Sequence, residues 1–468
     1  MKDIKLLYLL ILAVCLITSC ETAQYQEFDN IQESPLLNFI VKKIGESSEY
    51  RSLQDASFND GDTLYIKIPT TDEDPVDLSR LNAYASLAHN AVVTPNIQGE
   101  MDFTDVVKIT VLDGDKVPYN YHIKVIPVLP KTVFKHIWFK NATDLGIVRT
   151  NISGMAVHND HLFVADFNVW DAGDNTSGVR VYNKLSGSLE KIIPAPTTFT
   201  SQVCIDEAGH VLVNRYNIYG AGFMLYLYDT IDSEPELLLN YSEAMGCPVG
   251  LGRKISVIGN LKSGKAYVYA TTESNDTFYY WEFNNGIPVN VIPTSMKYAS
   301  AGGDWLFASI QRASLEDDSD HYLTFFQTDG SDPNREQGSR FDILTSGFDI
   351  QRLNYANHSY KILDFKVFNI QEDRFLAILE QGFLPWDAFS VKVFEITDHN
   401  TLEIQPGDQG YEDFLIFESD IYGGVNYNRW GDIDVDIVGD EAFIYATFPT
   451  NESATSGIWA YKMKYNKE

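Results

Sequence analysis

Residues 432–446 of the chain read Asp-Ile-Asp-Val-Asp-Ile-Val-Gly-Asp-Glu-Ala-Phe-Ile-Tyr-Ala, which is a strand, a tight turn and a second strand. The first part alternates polar and apolar side chains, as a half-buried strand does, and Gly439-Asp440 is a turn signal. The same pattern recurs at intervals of roughly 45–60 residues. The copies lie at residues 153–165, 202–213, 255–270, 298–308, 365–378 and 432–446. This recurrence predicts a fold built from one repeated β unit.

A third strand follows each of these hairpins, and a weaker fourth strand follows some of them. The third strands lie at residues 179–182, 224–228, 278–283, 322–326, 391–395 and 458–462, and the fourth at 189–193 and 237–239. Four antiparallel strands at this period are typical of a β-propeller blade. We therefore expect a six-bladed β-propeller over residues 131–468. Seven blades are the alternative, because residues 340–360 and 406–417 are long and irregular. Residues 133–139 are expected to complete the last blade and so close the ring.

Residues 35–130 are expected to form a separate, smaller domain. Residues 64–68, 106–111 and 119–125 have strand-like patterns, and Asp113-Gly114-Asp115 predicts a hairpin between the last two. About ninety residues of short strands indicate a small Ig-like β-sandwich. The predicted fold class is therefore all-β, with an Ig-like β-sandwich followed by a β-propeller.

The N-terminal segment has the layout of a secretory signal. Two lysines precede an apolar run at residues 6–17, and Thr18-Ser19-Cys20 follows. The run is too short to be a good membrane-spanning helix. A Cys directly after small residues makes the segment resemble a bacterial lipoprotein signal, which implies cleavage before Cys20 and lipidation of Cys20. Residues 1–19 are then a lipoprotein signal peptide, and residues 20–34 are a lipid-anchored tether.

The order of signal, small β domain and larger β domain resembles Bacteroidetes-type surface lipoproteins with an N-terminal Ig-like module. The resemblance implies a location at the bacterial outer membrane, attached through the lipid anchor and facing the cell exterior. It also implies a partner, the membrane transporter complex of a glycan-uptake system. The blades themselves lack the marker motifs of WD-type, kelch and sialidase propellers, so no family function is carried onto them.

Net charge and cysteine content limit the ligands and the chemistry. The formal net charge is −30, and such a field repels nucleic acid and anionic lipid head groups. Neutral or cationic ligands are therefore expected, and nucleic acid is not. Besides Cys15 and Cys20, the chain has Cys204 and Cys247. An exported chain can join such a pair in a disulfide, but we expect two buried free thiols.

Aromatic residues are concentrated in the loops expected at one face of the propeller, where polar residues are more usual. Flat rings cover the face of a sugar, while neighbouring amides and carboxylates bond its hydroxyls, and the same mixture also serves protein recognition. The alternative is that these rings pack between blades under long loops. The predicted binding residues are Trp170, Tyr216, Tyr219, Trp386, Tyr422, Tyr427 and Trp430.

Asp432, Asp434 and Asp436 alternate along an innermost strand and so face the same way. Three carboxylates on one face of a channel are a candidate Ca²⁺ site, with a solvated channel wall as the alternative. No other cofactor is expected. No nucleophile elbow, His-Glu-x-x-His motif or phosphate-binding Gly-rich loop occurs, so no catalytic residue is assigned.

The expected function is therefore non-catalytic binding of a glycan or glycoprotein by a lipid-anchored surface protein, as an accessory of a nutrient-uptake system. Two alternatives stay open. One is a polysaccharide-degrading hydrolase or lyase that uses a carboxylate pair on the same face. The other is a protein–protein assembly scaffold without a small ligand.

Overall fold

The computed structural model describes residues 34–52, 58–71, 73–147, 152–166, 178–273, 277–297, 306–327, 339–347, 349–359, 361–427, 429–452 and 454–466. The chain divides into two compact units, Met1–Pro130 and Lys131–Glu468. Regular structure in the described residues is almost entirely strand. The helical segments are the α-helical turn Tyr411–Phe414 and the 3-10 segments Ile218–Gly220, Glu243–Met245, Tyr355–Asn357 and His399–Glu403.

The first unit has two four-stranded sheets. Its strands are β1 (Leu36–Lys43), β2 (Tyr50–Arg51), β3 (Thr63–Pro69), β4 (Leu81–Leu87), β5 (Val92–Thr94), β6 (Gly99–Met101), β7 (Val107–Leu112) and β8 (Pro118–Val128). The sheet orders are β2-β1-β4-β6 and β3-β8-β7-β5. β7 and β8 form the predicted antiparallel hairpin, whereas β3 runs parallel to β8. Alternate side chains of β3 are buried and share one hydrophobic core with side chains of β1.

The second unit contains the repeated strands. They are β9 (Thr132–Asn141), β10 (Ile152–His158), β11 (His161–Asp166), β12 (Gly178–Asn183), β13 (Leu189–Pro194), β14 (Thr200–Ile205), β15 (Val211–Arg215), β16 (Phe223–Tyr228), β17 (Glu236–Tyr241), β18 (Ile255–Gly259), β19 (Lys265–Thr271), β20 (Thr277–Asn284), β21 (Ile287–Pro288), β22 (Thr294–Lys297), β23 (Leu306–Arg312), β24 (His321–Gln327), β25 (Ser339–Leu344), β26 (Ile350–Arg352), β27 (Lys361–Ile370), β28 (Asp373–Gln381), β29 (Phe389–Glu395), β30 (Leu415–Glu418), β31 (Ile433–Val438), β32 (Glu441–Phe448) and β33 (Gly457–Tyr465).

Within the described residues these strands form six antiparallel sheets. Five are built from consecutive strands, namely β10 to β13, β14 to β17, β18 to β22, β23 to β26 and β27 to β30. The sixth has the order β31-β32-β33-β9. The two stretches that suggested a seventh blade supply strands of the fourth and fifth sheets, because β25 and β26 lie in residues 339–352 and β30 in residues 415–418.

The sixth sheet joins the two ends of the second unit. β9 pairs antiparallel with β33 along its whole length, from Thr132 opposite Tyr465 to Asn141 opposite Gly457. This is the pairing that the sequence predicted for residues 133–139. Each end of the unit would otherwise leave a sheet edge with unpaired backbone groups, so the pairing removes an aggregation-prone edge.

Hydrophobic cores lie between successive sheets and also between the last and the first. Ala156 and Phe163 of the first sheet pack with Val203 of the second. Met155 on the first sheet packs with Phe443 and Tyr445 of the sixth in a separate core. Each sheet therefore buries both of its faces against neighbours, and the second unit has an all-β, propeller-like arrangement.

Candidate functional site

The first strands of the six sheets surround a central channel. Side chains of β10, β14, β18, β23, β27 and β31 line a cavity of about 380 Å³. The loops that lead into these strands, and those that join second to third strands, lie at one end of the channel, which we call the loop face. Its described residues are 142–147, 195–199, 216–222, 242–254, 272–273, 353–359, 382–388, 419–427, 429–432, 449–452 and 454–456.

Three of the predicted aromatic residues present their rings to solvent on the loop face. Tyr219, Trp386 and Tyr427 have exposed fractions of 68 %, 57 % and 57 %. Exposed Trp and Tyr rings are costly to leave bare and are common at binding surfaces. Trp170 and Cys20, the residue predicted to be lipidated, lie outside the described residues. Among the described residues, no helix is long and apolar enough to span a membrane.

Trp386 and Tyr427 flank a contact between two loops. The amide N–H of Asn426 donates to the carbonyl oxygen of Pro385 over 2.8 Å, so the residues that follow each partner are brought together. The Nε2 group of Gln381 donates to the same carbonyl over 2.9 Å and to that of Asp387 over 3.1 Å. The two exposed rings thus sit on a braced junction, which limits the conformational entropy that a ligand must remove.

A glycine allows this junction to form. A Cβ atom added at Gly382 would lie 2.5 Å from the Cβ atom of Asp387. The Asp387 carboxylate turns back to accept from the Leu384 N–H over 2.6 Å. The loop that carries Trp386 therefore folds tightly over a position where only glycine fits.

Tyr216 and Trp430, which were also predicted to bind the ligand, are buried. Their exposed fractions are 1 % and 5 %, and their rings meet edge to face with centroids 6.3 Å apart. The guanidinium of Arg253 lies 4.0 Å from the Trp430 ring centroid and 3.9 Å from that of Phe307. Arg253 is paired with Glu273 over 2.7 Å.

These residues form a cluster that we call the Arg253 plug: Tyr216, Arg253, Glu273, Phe307 and Trp430. Burial raises the pKa of the Tyr216 hydroxyl, and the Glu273 charge raises that pKa further, so the hydroxyl stays protonated and donates to Glu273. The plug joins segments of the second, third, fourth and sixth sheets beside the channel. The aromatic and cationic side chains of the Arg253 plug stack on one another and so hold these loops together.

Tyr422 is also a packing residue in large part. Its ring centroid lies 5.3 Å from that of Trp459 and 5.5 Å from that of Phe448, and its backbone pairs with Phe389. It is half-buried between the fifth and sixth sheets. The alternative of rings packed under long loops therefore describes Tyr422 better than ligand contact does.

The three aspartates that suggested Ca²⁺ are each paired with a lysine. The ammonium of Lys254 lies 3.4 Å from Asp432, that of Lys366 lies 2.6 Å from Asp434, and Lys184 is 2.6 Å from Asp436. In the described part of the chain, no group of His, Cys, Asp and Glu side chains has the arrangement of a metal site. Because each carboxylate is paired with a lysine, its charge is already neutralised, which disfavours the calcium interpretation.

The same aspartates also bond the backbone of the neighbouring sheet. The Met155 N–H donates to Asp432 over 2.7 Å, and the Val157 N–H donates to Asp434 over 2.9 Å. Burial raises the pKa of Asp432, an effect that Lys254 opposes and that the nearby Asp364 carboxyl adds to. In the described residues, β10 is the edge strand of its sheet on the channel side. The two carboxylates therefore accept hydrogen bonds from backbone N–H groups that no neighbouring strand pairs with.

Cys204 and Cys247, the two cysteines among the described residues, are free thiols. The thiol of Cys204 lines the channel and donates to the carbonyl of Ile255 over 3.3 Å. Burial raises the pKa of Cys204, and it raises that of Cys247 to about 11. Both stay protonated at neutral pH, so neither has the character of a reactive cysteine.

Sequence reasoning missed the basic residues at the starts of the inner strands. Arg253 and Lys254 precede the apolar strand β18, and Lys361 opens β27. A basic residue directly before an apolar inner strand can be recognised in the sequence, and it is expected to enter the channel or the space between sheets. Its partners could not be predicted from the sequence, because they come from other sheets.

These features define an all-β protein with a propeller-like second unit, an ion-paired channel and an aromatic loop face. Residues 143–458 match the family described as Domain of unknown function (DUF8500), and the chain belongs to that family. A search of curated proteins finds no match.

Among solved structures, a DUF4623 family protein from Bacteroides eggerthii is similar in fold. Its TM-score is 0.52 at 14 % identity, with 92 % of this chain and 99 % of that chain covered. A subtype N10 neuraminidase-like protein of A/little yellow-shouldered bat/Guatemala/060/2010 has a TM-score of 0.37 at 8 % identity, covering 67 % of this chain and 94 % of that one. A mutant of AofleA from Arthrobotrys oligospora has a TM-score of 0.38 at 8 % identity, covering 69 % and 85 %. The first likeness concerns the fold alone, and the other two are too distant to bear on fold or function.

Proposed function

We propose that this protein is a lipid-anchored surface protein that binds a glycan or glycoprotein through its loop face, as an accessory of a nutrient-uptake system. The observation that carries the proposal is the pair of exposed rings, Trp386 and Tyr427, on loops joined by the Asn426–Pro385 hydrogen bond. Rings held in place next to amide and carboxylate groups suit the apolar face and the hydroxyls of a sugar.

The proposal includes a finer description of the architecture. The two sheets of the first unit, which share one core, are interpreted as an Ig-like β-sandwich over residues 35–130. The six sheets of the second unit are interpreted as a closed six-bladed propeller over residues 131–468. Residues 1–19 are the proposed lipoprotein signal peptide, and residues 20–34 the tether.

The location is a separate part of the proposal. Lipidation of Cys20 would place the protein on the bacterial outer membrane, facing the cell exterior, with a transporter complex as partner. Cys20→Ala should move the protein from the membrane fraction to the soluble fraction. Protease added to intact cells should digest the lipidated form, and full protection of that form would contradict display on the exterior.

The function is tested with the soluble chain from residue 21 onward. It is titrated against plant, microbial and host polysaccharides while affinity and the release of new reducing ends are followed together. Trp386→Ala and Tyr427→Ala should each weaken binding about tenfold or more. Tyr65→Ala, an exposed ring of the first unit, is the matched control and should change nothing.

Each other result selects a different function. Release of fragments would make the protein a polysaccharide hydrolase or lyase. Binding that is insensitive to both loop-face substitutions would move the site elsewhere. If none of the polysaccharides binds, the proposal is contradicted and a protein–protein scaffold is favoured.

A further inference from the structure

Two buried polar atoms beneath the Trp386–Tyr427 junction lack hydrogen-bond partners. Lys361 is 1 % exposed and begins β27, where it stands directly opposite Gln381 at the end of β28. Residues opposite each other on antiparallel strands project to the same side of the sheet. Within the described part of the chain, the Nζ atom of Lys361 and the Oε1 atom of Gln381 have no partner.

An unpartnered buried amine is unusual, because desolvation without a compensating hydrogen bond is costly. The other buried lysines contrast with it, since Lys43, Lys184 and Lys254 are each paired with a carboxylate. The Nε2 group of Gln381 donates to the Pro385 and Asp387 carbonyls, which fixes the orientation of the amide. The Oε1 atom of the same amide has no donor among the described residues.

The Lys361 amine has no carboxylate partner within the described residues. Burial and repulsion by Arg429 together lower the pKa of Lys361 to about 8, and Asp387 partly opposes them. Most of the amine therefore still carries its charge at pH 7. A carboxylate would balance that charge and accept from the amine, and an adjacent hydroxyl would donate to Gln381.

We propose that Lys361 and Gln381 form a subsite for the carboxylate and neighbouring hydroxyl of an acidic sugar residue whose ring lies against Trp386 and Tyr427. This deepens the proposed glycan-binding function and rests on it. Because Lys361 is 1 % exposed, the side chains that cover the amine must move aside to admit the acid group. The backbone bonds that join the loops, from Asn426 to Pro385 and between Phe389 and Tyr422, are kept, so the two rings stay in place. The net charge of −30 disfavours a long polyanion, so the subsite is assigned to single acidic residues within a glycan.

The test compares a xylo-oligosaccharide that carries one glucuronate residue with its uncharged methyl ester, which differ in charge and hardly in shape, by calorimetric titration of the soluble chain at pH 7. Wild type should prefer the acid at least tenfold. Lys361→Met should abolish this preference. Lys464→Met, at an exposed lysine of β33, is the matched control and should keep the preference.

A second measurement does not depend on any variant folding. Affinity of wild type for the oligosaccharide with one glucuronate residue should fall as the pH rises from 7 to 9, because the Lys361 amine loses its charge, and affinity for the ester should stay constant. Binding of the acid at pH 8 should also take up protons.

The failures are distinguishable. Equal affinity for acid and ester, unaffected by Lys361→Met and by pH, overturns the subsite and leaves glycan binding standing. Binding of other glycans with no response to either probe also overturns only the subsite. No binding to any polysaccharide overturns the subsite and the proposed function together.

Discussion

Lys361 links stability and ligand recognition at the scale of a single residue. Its pKa in the folded protein is lowered to about 8, below the ordinary lysine value of 10.5. Below pH 8 the folded protein carries a buried, unpartnered cation, so the destabilisation is fully present there. Between the two pKa values the unfolded chain holds a proton that the folded protein has released, and stability therefore rises with pH.

Lys361→Met should accordingly stabilise the second unit at pH 7, by on the order of 3 kcal/mol. The advantage over wild type should shrink as the pH rises through 8 towards 10.5, where wild type no longer carries the buried charge. All 7 Trp residues follow residue 130, so tryptophan fluorescence during denaturant unfolding reports on this unit alone. A variant less stable than wild type at pH 7 would mean that Lys361 has a partner in solution.

Gly382 is the residue on which the exposed ring of Trp386 depends. Gly382→Ala forces a Cβ atom to within 2.5 Å of the Asp387 Cβ atom, so the loop must move. We expect glycan affinity to fall as far as in Trp386→Ala, with secondary structure unchanged by circular dichroism. Gly423→Ala is the control on the same face, because a Cβ atom there meets nothing within 4 Å. Equal affinities for both variants would show that the loop tolerates the displacement.

At the scale of elements, the sheets are tied together across the channel by charged side chains. Asp434 accepts from the Val157 N–H of β10 and is paired with Lys366 of β27, so it connects three sheets. Removal of the Asp434 carboxylate leaves the buried Val157 N–H without its acceptor, whereas the ammonium of Lys366 is partly exposed and stays hydrated.

Asp434→Ala should therefore lower the free energy of unfolding of the second unit by about 1–3 kcal/mol. Asp434→Asn keeps an oxygen for the Val157 N–H and should cost less. Asp318→Ala, at an exposed aspartate of a turn, should have no measurable effect. Denaturant unfolding followed by tryptophan fluorescence compares the three, and equal stability of all of them would mean that the channel ion pairs contribute nothing net.

The strands could be predicted from the sequence, because each hairpin has its own alternating pattern and turn residues. Residues 432–446 became β31 and β32, and residues 133–139 lie within β9. The two irregular stretches left seven blades open as an alternative, since short outer strands such as β26 and β30 have few residues with which to show alternation.

At the scale of the whole molecule, the pairing of β9 with β33 makes the second unit a closed structure. A chain of residues 131–468 should fold alone with one cooperative transition, because it contains every strand of the six sheets. A chain of residues 142–468 lacks β9, exposes the edge of β33 and should aggregate or unfold at lower denaturant concentration. Size-exclusion chromatography and unfolding curves compare the two, and identical behaviour would contradict a role for ring closure.

The sequence by itself determined the all-β class, the repeated hairpins and their order, because alternation and turn residues are local properties of the chain. It did not determine which loop aromatics are exposed. Tyr216 and Trp430 looked like Trp386 and Tyr427 in sequence, yet two are buried and two are exposed. Burial depends on partners from distant sheets, such as Arg253 beside Trp430, and only the tertiary structure brings those partners together. For the same reason, only the tertiary structure paired the channel aspartates with lysines and left Lys361 without a partner.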